Sequence, residues 1–219
     1  MLNRKLICAV GCQNSGKDFI MNRLQSRLIY QHRYTTSTVR CRFADSLNEA
    51  VAPILGISSE ELQDRELKEK RRFIFANPKK VIARAWSSRD VQKQVGSLLR
   101  DNLGEDVFIN ALDRKYSNPS AILLISDLRY QNELDWVRSQ GGKVVYIHNE
   151  AAAQVQKARE SVTWDGDTES SHYPPESELL QWEFYNKVET PDYWLDNNDF
   201  DNHSHFDDFV EFVLDYLEE

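Results

Sequence analysis

An apolar hexapeptide, Lys5–Val10 (KLICAV), runs directly into Gly11-Cys12-Gln13-Asn14-Ser15-Gly16-Lys17-Asp18. No other junction in the chain constrains the fold as tightly. The eight residues match G-x-x-x-x-G-K, with Asp18 where serine or threonine is usual. Small residues let consecutive backbone N–H groups wrap an anion, and the lysine reaches the outer phosphates. The following helix must point its positive N-terminal end at the same charge. Such a loop needs a strand before it and a helix after it. Lys5–Val10 reads as the strand. The spacing predicts a helix from about Gly16 to Tyr30, with Phe19, Ile20, Leu24 and Leu28 on one stripe. The segment reads as a cradle for a nucleoside triphosphate.

The rest of the chain alternates between short apolar runs and helical periodicity. Residues 37–43 alternate like a strand and 46–55 like a helix, and Ser58-Ser59-Glu60-Glu61 carries a helix N-cap signature. Residues 78–103 read as two helical pieces with a break near Ser87-Ser88, and 105–115 as one more helix. The most apolar run, 121–126 (AILLIS), reads as a buried parallel strand. A helix at Asn132–Gln140 stops at Gly141-Gly142, and 143–148 (KVVYIH) is the next strand. Residues 150–190 are polar and weakly periodic, the pattern of a lid or an unstructured loop. Tyr193-Trp194-Leu195 reads as an edge strand and Phe206–Leu217 as an amphipathic closing helix. The expected class is α/β, a doubly wound, mostly parallel sheet flanked by helices. One domain is expected, with its core at 1–43, 106–149 and 190–219, a helical insert at 44–105 and a lid at 150–189.

Composition removes several function classes. No apolar run approaches the ~20 residues of a membrane span, and the N-terminus lacks a signal-peptide cleavage pattern. A cytoplasmic protein is expected. Cys8, Cys12 and Cys41 have neither disulfide-framework nor metal-ligand spacing and read as reduced thiols, with Cys12 potentially exposed in the loop. A net charge of −8 makes a nucleic-acid coat a poor fit. The basic run Lys68–Arg72 and the pair Lys79–Lys80 are solvated helix faces or attractors of a small anionic substrate.

Further chemistry clusters after the apolar run. Asp127 directly follows that strand, where a metal-facing carboxylate belongs, with Arg129 two residues on and Glu133 beyond. The alternative is a surface Asp–Arg turn. Arg89 and Arg100 lie eleven residues apart, nearly three helical turns, either as a clamp on a substrate phosphate or as a solvated face. Asp18 either binds Mg²⁺ or its waters, or hydrogen-bonds locally. In the 150–190 stretch Arg159 is a candidate to close over phosphate and His172 a candidate for a functional role, with a structural or merely exposed histidine as the alternative. His203 and His205 are too isolated for a metal site. Trp164, Trp182 and Trp194 read as packing residues.

Four elements occur together in order: AVGCQNSGKD; RFADSLNEAV followed by EELQDRELKE; RDVQKQVGSLLR before GEDVFIN; and ISDLRYQNELDWVRSQGG. In this the chain resembles the deoxynucleoside monophosphate kinases of tailed bacteriophages, over roughly residues 5–150. The resemblance implies a P-loop kinase fold that passes the γ-phosphoryl group of ATP to a deoxynucleoside 5′-monophosphate. It implies that Gly11, Asn14, Ser15, Gly16, Lys17, Asp18 and Phe19 hold ATP, and that Asp18 and Asp127 serve Mg²⁺. It implies an acceptor site drawn from Gln13, Asp45, Asn48, Arg65, Arg89, Gly96, Arg100, Arg129 and Glu133, with Ser171, His172 and Glu176 in the lid. Lys17, Asp127 and Arg129 would be catalytic. The partners implied are the two small substrates and, by analogy, a second copy of the chain. This sequence departs from the pattern at Asn48, where lysine is frequent, at Phe19, where threonine would follow, and in a lid motif one residue longer than usual. If phage-encoded, the protein would act in the host cytoplasm. Two other readings stay open: a kinase of another small phosphate acceptor such as phosphomevalonate, and a binding protein switched by nucleotide.

Overall fold

The computed structural model describes residues 4–31, 34, 38–75, 84–162, 184, 189–198 and 203–219. They form two compact units: one of residues 1–42 and 116–219, the other of residues 43–115.

The first unit is built on five parallel strands, β1 (Lys5–Val10), β2 (Thr38–Cys41), β5 (Ile122–Ile125), β6 (Lys143–His148) and β7 (Tyr193–Asp196), in the order β2-β5-β1-β6-β7. β1, β5 and β6, the three inner strands, carry near-continuous buried apolar runs because a parallel sheet is covered on both faces. β1 is central, pairing Leu6 with Leu123 on one side and Cys8 with Val144 on the other. Ile7, Ala9, Ile122, Leu124, Val145, Ile147 and Leu195 pack against α1 (Lys17–Tyr30) and α9 (His203–Glu218). The closing helix behaves as its spacing predicts, burying Phe206, Phe209, Val210 and Val213.

α7 (Gln131–Ser139) ends where the glycines predict: Gly141 takes φ 71°, and the Gly142 N–H donates to the Val137 carbonyl at 2.9 Å. Two expectations need correcting here. Phe19 is 44% exposed and Met21 takes its place on the buried stripe of α1, because Met21 follows Ile20 round toward the sheet. Residues 150–162 are helix α8, not part of an irregular segment. The Asn149 side chain supplies the missed start signal, accepting the Ala152 N–H at 2.9 Å. Among the described residues, no helix is long and apolar enough to cross a membrane.

The second unit holds α2 (Asp45–Leu55), α3 (Ser59–Gln63), α4 (Arg65–Lys68), a ribbon of β3 (Phe73–Phe75) and β4 (Arg84–Trp86), α5 (Ser88–Leu103) and α6 (Val107–Lys115). Val51, Ala52, Leu62 and Val91 form its core. Ser58 caps α3 as the sequence signature predicts, its Oγ accepting the Glu61 N–H at 3.1 Å. The expected first helical piece of 78–103 is corrected, since its described part, 84–86, is a strand antiparallel to β3. The break near Ser87 is real: Ser87 and Asp90 form a reciprocal capping box that starts α5. Lys68–Arg72 is likewise not one helix face, because α4 ends at Lys68 and Arg72 leads into the ribbon.

Candidate functional site

The loop between β1 and α1 has the backbone that anion binding demands. Gly11, Asn14 and Gly16 have φ of 151°, 69° and 92°. A Cβ on Gly11 would sit 2.5 Å from the Ile147 carbonyl oxygen, and one on Gly16 would sit 2.4 Å from the Asn197 amide nitrogen. Only glycine fits at either position. The Ser15 N–H closes a turn onto the Cys12 carbonyl at 3.1 Å. Gln13 and Asn14 are exposed at the tip, and Ser15 is buried with its hydroxyl unpartnered among the described residues, a donor suited to an anion oxygen.

Lys17 curls over this loop. Its Nζ donates to the carbonyls of Gly11 and Cys12, both at 2.7 Å. Burial, and after it the Arg129 guanidinium, lower its pKa from 10.5 to about 8, against the opposing pull of Cys12, Asp18 and Asp127. These couplings bring Lys17, Asp18, Asp127 and Arg129 into one electrostatic neighbourhood, as the spacing predicts. Asp18 has a partner far along the chain: the Ser126 hydroxyl, just past β5, donates to its Oδ1 at 2.6 Å. The first turn of α1 is thereby tied to the turn that carries Asp127 and Arg129. Glu133 organises that turn. It is buried, and its Oε2 accepts the N–H groups of Arg129 at 2.9 Å and Tyr130 at 3.1 Å, capping α7.

Asp18 and Asp127 offer hard oxygen donors within electrostatic reach of Lys17, and Ser126 bonds to Asp18 at the sheet end. This donor set fits Mg²⁺, which keeps several waters and binds through one or two carboxylates together with substrate phosphates. No group of three or more His, Cys, Asp or Glu side chains among the described residues could hold a metal unaided.

The sequence reading missed the residue that fastens the loop from behind. Asn197, just past β7, is buried, and its amide donates to the Ser15 carbonyl at 2.8 Å. Its own N–H donates to the His148 carbonyl, and its carbonyl accepts from the Asn149 amide, both at 2.8 Å. An asparagine after an edge strand looks like an ordinary turn residue. Only the adjacency of β6, β7 and the loop reveals its use. Cys12 also differs from expectation: it is 7% exposed and packs on Ala152 and Ala153, with its Sγ 3.9 Å from the Tyr146 hydroxyl. Trp194 stacks on Tyr146 with ring centroids 4.5 Å apart, the packing role expected of it. No disulfide links the three cysteines.

The second unit holds the other candidates. Asp45 opens α2, and one turn on Asn48 is buried and accepts from the Gln92 amide at 2.6 Å. Gly96 lies where a Cβ would come within 3.2 Å of Leu47, so close approach of α2 and α5 is reason enough for glycine. α5 is continuous from Arg89 to Arg100, placing them within about 20° of each other around its axis. Arg89 donates to Glu69 at 2.6 Å, and the Arg100 guanidinium lies 4.6 Å over the Phe108 ring. Arg65 opens α4. Its side chain and those of Arg159 and His203, together with Ser171, His172, Glu176, Trp164, Trp182 and the pair Lys79–Lys80, lie outside the described residues.

No family model matches the chain. Over 150 residues it is 25% identical to a protein of Acanthamoeba polyphaga mimivirus that carries the provisional name deoxynucleotide monophosphate kinase; the match spans 65% of this chain and 72% of that protein. Among solved structures it is similar to the APS kinase of Mycobacterium tuberculosis in complex with AMPPNP and APS (TM-score 0.45, 13% identity, 99% of this chain and 98% of that one). It is also similar to the dephospho-CoA kinase of Campylobacter jejuni (TM-score 0.42, 11% identity, 98% of this chain and 97% of that one).

Proposed function

We propose that this chain is a deoxynucleoside monophosphate kinase, transferring the γ-phosphoryl group of ATP to a deoxynucleoside 5′-monophosphate. The observation that carries the reading is the Asp18–Ser126 hydrogen bond. It fastens the phosphate loop's helix to the strand end bearing Asp127 and Arg129, so that cationic and carboxylate groups converge on Lys17. The provisional name of the mimivirus relative supports the choice of acceptor.

An oxygen of the acceptor phosphate attacks the γ-phosphorus in line, the bond to the β–γ bridging oxygen breaks, and ADP and a deoxynucleoside diphosphate result. Such a transfer asks for position and charge neutralisation rather than a nucleophilic side chain. The loop N–H groups and Lys17 hold the β- and γ-phosphates. Arg129 is proposed to hold the acceptor phosphate, and Arg89 and Arg100 are proposed as further phosphate contacts. Bound through Asp18 and Asp127, Mg²⁺ would neutralise charge on the phosphate oxygens. Ser171, His172 and Glu176 complete the proposal as lid contacts.

Purified protein assayed with ATP against deoxynucleoside and ribonucleoside monophosphates and phosphomevalonate tests the acceptor. Turnover confined to phosphomevalonate, or slow ATP hydrolysis with no acceptor, refutes the reading. Lys17→Ala should abolish transfer while leaving the circular dichroism melt intact, and near-normal transfer by that variant would sink the loop's assignment.

A further inference from the structure

Position 18 carries a carboxylate where a phosphate loop usually carries the hydroxyl that binds Mg²⁺. Asp18 lies in the first turn of α1, where the helix dipole favours negative charge. That accounts for an acid at this place but not for its partner. Its Oδ1 accepts the Ser126 hydroxyl at 2.6 Å, from a strand end 108 residues further along the chain. Among the described residues, only Oδ1 of the two carboxylate oxygens accepts a hydrogen bond. Ser126 is 7% exposed, whereas Asp18 is exposed, so the pair has an anchored side and a side open to a solvent ion. Both residues and the loop belong to the first compact unit.

The way a carboxylate presents its oxygens divides Mg²⁺ from Ca²⁺. Ca²⁺ takes carboxylates through one oxygen or both, in a large and adaptable shell. Mg²⁺ demands near-ideal octahedral geometry and keeps several waters. A carboxylate with one oxygen held by a hydroxyl offers a metal the other oxygen alone. We infer that Ser126 is a positioning residue for the metal: by holding Oδ1 of Asp18 it limits that carboxylate to a single-oxygen ligand and sets a preference for Mg²⁺ over Ca²⁺. The inference rests on the kinase reading, in which Asp18 serves Mg²⁺, and gives that site its selectivity. Ligating carboxylates are commonly oriented in this manner, by a neighbour that does not itself touch the ion. A mere tie between α1 and the strand end would add stability without affecting which metal binds.

The test is metal binding by the full chain with ADP, which needs no turnover. Mn²⁺ bound in the presence of ADP is followed by electron paramagnetic resonance, with Mg²⁺ and Ca²⁺ titrated as competitors and ADP without protein as the baseline. The wild type should favour Mg²⁺ more than free ADP does. Ser126→Ala frees Oδ1, and the ratio of Mg²⁺ to Ca²⁺ affinity should fall about tenfold or more, as when a metal ligand loses its hydrogen-bond partner. Ser126→Thr keeps the hydroxyl and should keep the ratio. Ser126→Cys is close in size with a weak donor; it should shift the ratio as alanine does, and it replaces the alanine variant if that fails to fold. A lowered melting temperature with an unchanged ratio overturns the inference. So does a wild type that binds no metal with ADP, or is no more selective than ADP alone. The kinase reading fails separately: a wild type with the stated selectivity that phosphorylates no monophosphate loses that reading and keeps a Mg²⁺-selective nucleotide site.

Discussion

Burial and the Arg129 guanidinium leave Lys17 titrating near 8, more than two units below an ordinary lysine. An anion in the loop restores the preference for the charged form. Between about pH 8 and 10.5 the complex therefore holds more protons than the free protein, and nucleotide affinity must fall as pH rises through that window. The same shift acts on folding with a stated sign. Across that window the folded chain binds fewer protons than the unfolded one, so this group's contribution to stability rises with pH. Calorimetric titration at pH 7 and pH 9.5, in buffers of different ionisation enthalpy, should show weaker binding and greater proton uptake at the higher pH; equal affinity at both rules out the coupling. Asn197 makes a second residue-scale prediction. Asn197→Leu keeps the volume but strips the Ser15 carbonyl of its donor, a loss of about 1–3 kcal/mol at a buried group. ATP affinity should weaken about tenfold or more while the acceptor KM stays in place, which initial-rate kinetics in both substrates would show.

At the scale of elements, two helix starts offer a controlled comparison. Ser87 caps α5 and Glu133 caps α7, but only the Glu133 cap also shapes the Asp127–Arg129 turn. Ser87→Ala should cost about 1 kcal/mol of stability, as caps usually do, with little change in kcat. Glu133→Ala should cost about 1–3 kcal/mol by orphaning two backbone donors and should also depress kcat; thermal melts beside turnover numbers check both. The same comparison explains what could be read in the sequence. The cap at Ser58, the strand at 121–126 and the glycine stop at 141–142 are local signals, and the structure reproduces them. Arg84–Trp86 became a strand because pairing with Phe73–Phe75 overrode local helical spacing. α8 hid behind an asparagine cap in a polar stretch. Phe19 was placed inside by a stripe drawn one residue too early. At the site, Lys17 and Asp18 were legible because they directly follow the glycine loop, and Asp127 and Arg129 because they directly follow the most apolar run. Asn197 was not, since its partner is 182 residues away in the chain.

On the scale of the whole molecule, a ligand that binds only the folded chain stabilises it by mass action. ATP at about one hundred times its dissociation constant should add about 2.7 kcal/mol and raise the melting temperature. The Lys17→Ala variant should lack that rise, and an equal rise in the variant would place the nucleotide elsewhere. Every pairing in the sheet is parallel, so each joins segments far apart in sequence, and slow folding is expected. The amide of Asn197 gives this order in time a functional meaning. The loop at residues 11–18 leaves a ribosome well before the donor that fixes the Ser15 carbonyl, which lies 182 residues further along the chain. A nascent chain stalled before β7 carries the whole phosphate-binding signature and lacks the clasp that shapes it. Nucleotide capture should therefore appear only once Asn197 has emerged, as a mark that the far edge of the sheet has closed.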